Sequence, residues 1–273
     1  MINDFLTHPS VAIFGLCYQA LGLGLCAPLY LLAHILTSPT ASHPTAERIS
    51  ISKPVLLAIL PAIVVGFVLP TVSMSLPTPS YLLYGTKANL VLLWQFFPLW
   101  TSLLCLIFSY AFHGLTISIQ PSSILKATYS IVIALASAAH ISALTLSVMP
   151  ILAPSIFNPT FAKELTGAYL KFPPWPIQSN AKASSMAEGA LWFIQYDYIL
   201  TSWAFLFWSV SLRLASLTTA EDPKGSQVTY ICVSALGRAL FLGPLGSAAS
   251  LIWERDDAIM AGDGATIDVK KLQ

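Results

Sequence analysis

Residues Ala190–Val210 read ALWFIQYDYILTSWAFLFWSV, an apolar run crowded with aromatic rings that carries a single acid, Asp197. A helix needs roughly 20 apolar residues to cross the hydrocarbon of a bilayer, and this run is long enough. An ionisable side chain at such depth costs about 2.5–3.5 kcal/mol on insertion scales, so it usually faces a cavity or the interior of a bundle and has a task there. The stretch predicts a membrane-spanning helix and marks Asp197 as a candidate for handling a proton.

The composition extends that reading to the whole chain. Of 273 residues, 56% are hydrophobic and 9% charged, with a mean hydropathy of +0.73. Soluble domains carry about 25% charged residues, so this chain lacks the polar surface of a water-facing globule. It is expected to be an all-α, polytopic transmembrane bundle. A net charge of +1 and the lack of a basic run argue against a nucleic-acid partner. Cys17, Cys26, Cys105 and Cys232 lie in apolar runs without metal-ligand spacing and read as small hydrophobes. The start, MINDFLTHPS, has no basic n-region, so the first apolar run reads as a retained helix and not as a cleaved signal.

Six spans follow from the 20-residue template, with a seventh as an alternative. They are Val11–Leu36, Val55–Ser75, Ala88–Phe112, Leu125–Leu152, Ala187–Leu217 and Gln227–Trp253. Residues 1–253 then form one transmembrane domain, and 254–273 form a polar, partly ordered tail. The long connection before span five contains Asn158–Leu170 and then KFPPWPIQSN, which reads as an interfacial segment. Loops sharing a face with the termini hold seven Lys and Arg residues against five opposite, which favours cytosolic termini. The expected location is an internal membrane, the endoplasmic reticulum. No internal repeat points to an inverted-repeat transporter.

At 100° per residue, Asp197 shares a helix face with Thr201, Ala204, Phe205 and Trp208, while Glu188, Trp192 and Gln195 form another stripe. A carboxyl group in apolar surroundings favours its neutral form and can then act as a general acid. Aromatic faces beside it suit a developing cation. Span three contributes LLWQFFPLW, in which Trp94, Gln95, Phe97 and Trp100 read as a pocket wall or as core packing. Gln95 is expected to be buried and to need a partner, and Pro98 frees a backbone carbonyl at the same level.

Treated as straight rods from the turn near Thr219–Ser226, spans five and six place Arg238 about 15 Å in depth from Asp197. The same count puts Glu254 closer to the level of Asp197, about 10 Å further out. Glu188 and Glu254 are therefore secondary catalytic candidates. His140 reads as a packing histidine, and a bis-His haem on His34 and His140 rests on two lone histidines only. The chain lacks paired Asp-rich clusters, histidine boxes, a P-loop, G-x-S-x-G and zinc spacing. Acid chemistry without metal or cofactor, transport or lipid and sterol binding, and an accessory or haem role all remain open from the residues alone.

WQFFPLW, FIQYDY and TSWAFLFWSV together resemble fungal integral-membrane terpene cyclases of meroterpenoid and indole-diterpene pathways, the paxilline and ascochlorin types. The resemblance implies a metal-independent cyclase of terpenoid secondary metabolism, formally an isomerase or lyase, acting on a hydrophobic prenylated substrate in membrane lipid. Protonation of a prenyl epoxide or alkene would start a carbocation cascade that a base or water ends. On that mapping Asp197 is the initiating acid, and Glu188 or Glu254 relays or accepts a proton. Trp94, Gln95, Phe97, Trp192, Tyr196, Tyr198, Thr201 and Trp208 would line the substrate. Members that use two acids on different spans differ from this chain, whose first four spans contain no Asp or Glu.

Overall fold

The computed structural model describes residues 9–115, 118–160, 162, 173–174, 182–218 and 225–271. Among them the regular structure is entirely helical. The interfacial segment expected before span five lies outside the described residues, apart from 158–160, 162, 173 and 174. Four stretches are long and apolar enough to cross a membrane: Ala46–Ser75, Pro121–Leu152, Met186–Leu217 and Gly225–Gly262. A fifth is added if the bent pair Tyr84–Gln95 and Phe97–His113 counts as one. Side chains are distributed inside out. Leu36, Phe207, Leu240 and Phe241 face outward, whereas Ala58, Ala62, Ser209 and Ser247 are wholly enclosed. Small residues let helices approach closely where an apolar solvent gives no hydrophobic reason to bury large ones.

Two compact units emerge, one of residues Met1–Gly22, His43–Thr128 and Ile259–Gln273, the other of Leu23–Ser42 and Tyr129–Ala258. The boundary at Gly22 divides the expected first span into α1 (Pro9–Leu21) and α2 (Leu23–Thr37). Gly22 has φ 91°, a left-handed conformation that glycine adopts without steric cost. The short helices α3 (Pro39–Ser42) and α4 (Ala46–Ile49) follow.

In the first unit, α5 (Lys53–Ile63) continues through a π-helical turn, Val64–Val68, into α6 (Leu69–Ser75). Pro61 in α5 has no N–H to donate, and the register shifts just beyond it. α7 (Tyr84–Gln95) and α8 (Phe97–His113) meet at Phe96, where φ −96° and ψ 15° leave the helical region. The bend there is 65°, so the expected third span is broken and Pro98 opens its second half. The α5–α6 rod runs antiparallel to the α7–α8 pair, since Gly66 meets Thr101, Phe67 meets Phe97 and Thr71 meets Trp94. Val55, Ala58, Ala62 and Cys105 form its core.

In the second unit, α9 (Pro121–Leu152) contributes its part from Tyr129 onward, beside α10 (Met186–Thr218) and the part of α11 (Gly225–Lys271) up to Ala258. α11 corrects the sixth expected span. Gly243 has φ 74° and ψ 161° within it, followed by Pro244, and the chain folds back there. Ser247 Oγ donates to the carbonyl of Ala235 at 2.7 Å, and Arg238 reaches Ser250 at 3.1 Å. Twelve helical residues span about 18 Å along a rod, so these contacts require a hairpin with arms 225–242 and 244–271. The second arm continues through residues 254–271 as helix. α9 lies antiparallel to that arm: His140 faces Gly243, Ser137 faces Gly246, and Tyr129 meets Asp256.

A Cβ on Gly66 would fall 2.8 Å from Thr101 Oγ1 and 3.0 Å from its backbone, whereas one on Gly85 would meet nothing within 4 Å. Gly66→Ala is therefore expected to lower stability by about 1–3 kcal/mol, and Gly85→Ala to leave it the same or slightly higher. Denaturant titration of the purified protein in detergent compares them, and equal stabilities would contradict this packing.

Candidate active site

The break at Gly22 leaves the first N–H groups of α2 without carbonyl partners of their own helix. In apolar surroundings each such group costs free energy unless something accepts its hydrogen. Asp197, on α10, supplies the acceptors. Its Oδ2 accepts from Leu23 N–H at 3.1 Å and its Oδ1 from Gly24 N–H at 3.0 Å. The carboxylate is thus a helix N-cap delivered from a different helix, at the positive end of the α2 dipole. Gly24 makes room for it, since a Cβ there would lie 3.0 Å from both Asp197 Cα and Oδ1.

Eleven residues further along each helix, Trp208 Nε1 donates to His34 Nδ1 at 3.1 Å. The equal advance from Leu23 to His34 and from Asp197 to Trp208 makes α2 and α10 parallel neighbours. The His34 and Trp208 rings meet edge-on at 5.5 Å, and Phe205 meets Trp208 the same way at 6.0 Å. His34 Nε2 lies 3.2 Å from Thr40 Oγ1. Between Asp197 and Trp208, Thr201 and Ser202 are buried, and their hydroxyls have no hydrogen-bond partner. The face expected from the helical period, Asp197–Thr201–Phe205–Trp208, is therefore assembled, with His34 as its unforeseen partner.

Other candidates stand elsewhere. Glu188 is in the first turn of α10, where its Oε2 accepts from Ser184 N–H at 2.7 Å and Ser184 Oγ at 2.6 Å. Ser185 Oγ accepts from Glu188 N–H in return, an arrangement related to a capping box. Nine residues separate Glu188 from Asp197, about 14 Å along the helix. Trp192 is half-buried and Tyr198 exposed, and the Tyr196 hydroxyl donates to the carbonyls of Pro173 and Pro174. Glu254 pairs with Arg238 at 2.6 Å. The hairpin at Gly243 accounts for that pairing and replaces the depth assigned to Glu254 from a straight rod.

Trp94 and Phe97 belong to the first unit, with ring centroids 5.5 Å apart and Phe67 tilted against Phe97 at 4.6 Å. Trp94 Nε1 is held by Thr71 Oγ1 at 2.9 Å. Gln95 is exposed, contrary to the expected burial, because α7 ends there and the bend at Phe96 turns the chain.

A second polar group was not anticipated. Tyr129 donates to Asp256 Oδ2 at 2.7 Å, Arg255 lies 3.3 Å from Asp256 Oδ1, and Arg255 Nη2 donates to the Thr40 carbonyl. Its sequence signal is WERDD at residues 253–257, where the polar tail is expected to begin. Among the described residues no three His, Cys, Asp or Glu side chains converge on a common metal position. His34 and His140 each place a ring nitrogen against a protein group, Trp208 and Thr40 for the first and the Leu240 carbonyl for the second, which does not suit paired axial haem ligands.

Comparison with known proteins adds the lineage. The CtvD domain model matches residues 3–260. Terpene cyclase ascI of Acremonium egyptiacum is 33% identical over 261 residues, 94% of this chain and 65% of that protein. Terpene cyclase ctvD of Aspergillus terreus is 25% identical over 260 residues, covering 92% and 68%. Terpene cyclase janA of Penicillium janthinellum is 28% identical over 240 residues, covering 85% and 59%. The chain thus spans roughly two thirds of the length of these relatives. No solved structure matches it significantly. With a family match that covers nearly all of its length, the chain belongs to the CtvD domain family.

Proposed function

We propose that this chain is an integral-membrane terpene cyclase that protonates a prenyl epoxide or alkene and guides the resulting carbocation to ring closure without a metal, with Asp197 as the initiating acid. The observation that carries this reading is the Asp197 carboxyl held by two backbone N–H groups on a helix face shared with Thr201 and Trp208. The names of the relatives support the reaction class, and the outward-facing large apolar side chains support a lipid surroundings. The endoplasmic reticulum and a bundle of about six spans belong to the same proposal.

The chemistry follows from the position of the donors. A carboxylic acid gives its proton to an epoxide oxygen, the carbon–oxygen bond opens, and the carbon becomes cationic. A neighbouring alkene attacks that carbon, and a proton lost at the end restores the acid, so the product is an isomer of the substrate. As the proton leaves, negative charge develops on the two oxygens that Leu23 and Gly24 already address. Donors fixed in advance where charge appears lower the barrier without reorganising. Trp208, its indole N–H tied to His34, presents a ring whose plane is set, and an aromatic face attracts a passing cation. The hydroxyls of Thr201 and Ser202 are buried polar groups still able to meet a substrate oxygen.

Asp197→Asn retains an acceptor for the α2 cap but has no acidic proton. Loss of a positioned general acid costs roughly 10²–10⁴-fold, so product formation in microsomes should fall by at least 100-fold while expression and insertion persist. Near-normal product would contradict the assignment. Trp208→Ala is expected to alter the ratio of cyclised products more than it alters insertion, as read by mass-resolved chromatography, and an unchanged ratio would count against the cation-facing role. Activity should also survive EDTA, and its disappearance on chelation with recovery on adding a divalent ion would overturn the metal-free form.

A further inference from the structure

The second unit holds an open groove of about 480 Å³ away from the Asp197 face, lined by α9 and the two arms of α11. That size is within the usual range for small-molecule sites. Its walls are Ile133, Leu242 and the Trp253 ring, and its polar end carries Arg238, Glu254 and Asp257. The walls are fixed before any ligand arrives. Trp253 stacks on Tyr129 at 6.0 Å and 7°, and its Nε1 donates to Asp257 Oδ2 at 3.1 Å. Tyr129 is itself held by Asp256. Arg238 and Glu254 meet across the hairpin at 2.6 Å, and their side chains keep 27% and 45% exposure, so part of each remains open to what the groove takes up.

The polar end has a definite preference. A guanidinium donates and cannot accept, and a carboxylate accepts and cannot donate. Side by side they match a neutral group that does both, of which a hydroxyl is the smallest. One guanidinium against two carboxylates opposes a diphosphate or carboxylate head, because the excess negative charge repels it in a site of low polarity. Ile133, Leu242 and Trp253 suit a hydrocarbon or aryl body.

We propose that this groove binds the hydroxyl-bearing end of an uncharged isoprenoid amphiphile, with Arg238 donating to that hydroxyl and Glu254 accepting from it, and that it rejects prenyl diphosphates. The isoprenoid body rests on the cyclase reading above, while the hydroxyl head rests on the ion pair and the groove. A site of this kind selects a neutral prenylated alcohol or phenol from a membrane that also carries charged prenyl donors.

The test uses the full chain in nanodiscs with a farnesol analogue carrying a photoactivatable diazirine, followed by peptide mapping of the labelled positions. Labelling should map to α9 and the two arms of α11 around Leu242 and Trp253. Unlabelled farnesol should compete at least 10-fold better than farnesyl diphosphate. Leu242→Trp, which fills the groove, should cut labelling at least 10-fold, and Glu254→Gln should weaken competition by farnesol about 5-fold. Labelling elsewhere, equal competition by the diphosphate, or indifference to both substitutions would overturn the proposal. The mapping and the competition on the unsubstituted chain decide the matter even if Leu242→Trp fails to fold. Capture is read without turnover, so an inactive chain that binds farnesol here refutes only the cyclase reading, and an active chain that does not bind it refutes only this site.

Discussion

A carboxylate on one helix that terminates another helix is the interaction on which the second unit depends. Gly22 breaks an apolar run, and the break leaves N–H groups that an apolar environment cannot satisfy. Asp197 satisfies two of them. The cost of an acid in an apolar stretch and the cost of a broken helix offset each other, and the result is a carboxyl group fixed in position by backbone. α2 then follows α10 in parallel register as far as His34 and Trp208, so one contact at the top of the pair sets the aromatic contact eleven residues below it. Gly24 belongs to the same device, since any side chain there would collide with Asp197.

A second constraint acts at Gly243 and Pro244. A left-handed glycine followed by a proline turns α11 back on itself, and the two arms bond through Ser247 to Ala235 and through Arg238 to Ser250 and Glu254. Buried serines take part where leucines would hold the arms apart. That hairpin creates a groove wall and converts Glu254 from an isolated acid into half of an ion pair. The two acids singled out for their depth therefore have different surroundings, Asp197 among backbone donors and Glu254 beside a guanidinium.

The helical class and the prominence of Asp197 were legible because both follow from composition and local period. The face carrying Asp197, Thr201, Phe205 and Trp208 was legible for the same reason, as one helix fixes its own angular spacing. Partners on other helices were not. Nothing local to Asp197 encodes Leu23 and Gly24, and nothing near Trp208 encodes His34. The breaks were signalled, by LGLGL at residues 21–25 and by LGPLG at residues 242–246, but an average over some 20 apolar residues does not register a single left-handed glycine. Treating α11 as a rod then misplaced Glu254. Gln95 was misjudged in the same way, because a bend at Phe96 reassigns which side of the chain is outside.

The central claim is that Asp197 both closes the start of α2 and holds the proton that begins the reaction. Amide hydrogen exchange of residues 23–30 in the unaltered chain, Asp197→Asn and Asp197→Ala tests its structural half directly. Removing an N-cap acceptor costs about 0.5–2 kcal/mol, which corresponds to roughly 2–30-fold faster local opening. The account requires protection to fall by that order with alanine and by less with asparagine, which keeps one of the two acceptor oxygens but has no acidic proton. Indistinguishable exchange in all three proteins would mean that Asp197 does not hold this helix, and the account would fail.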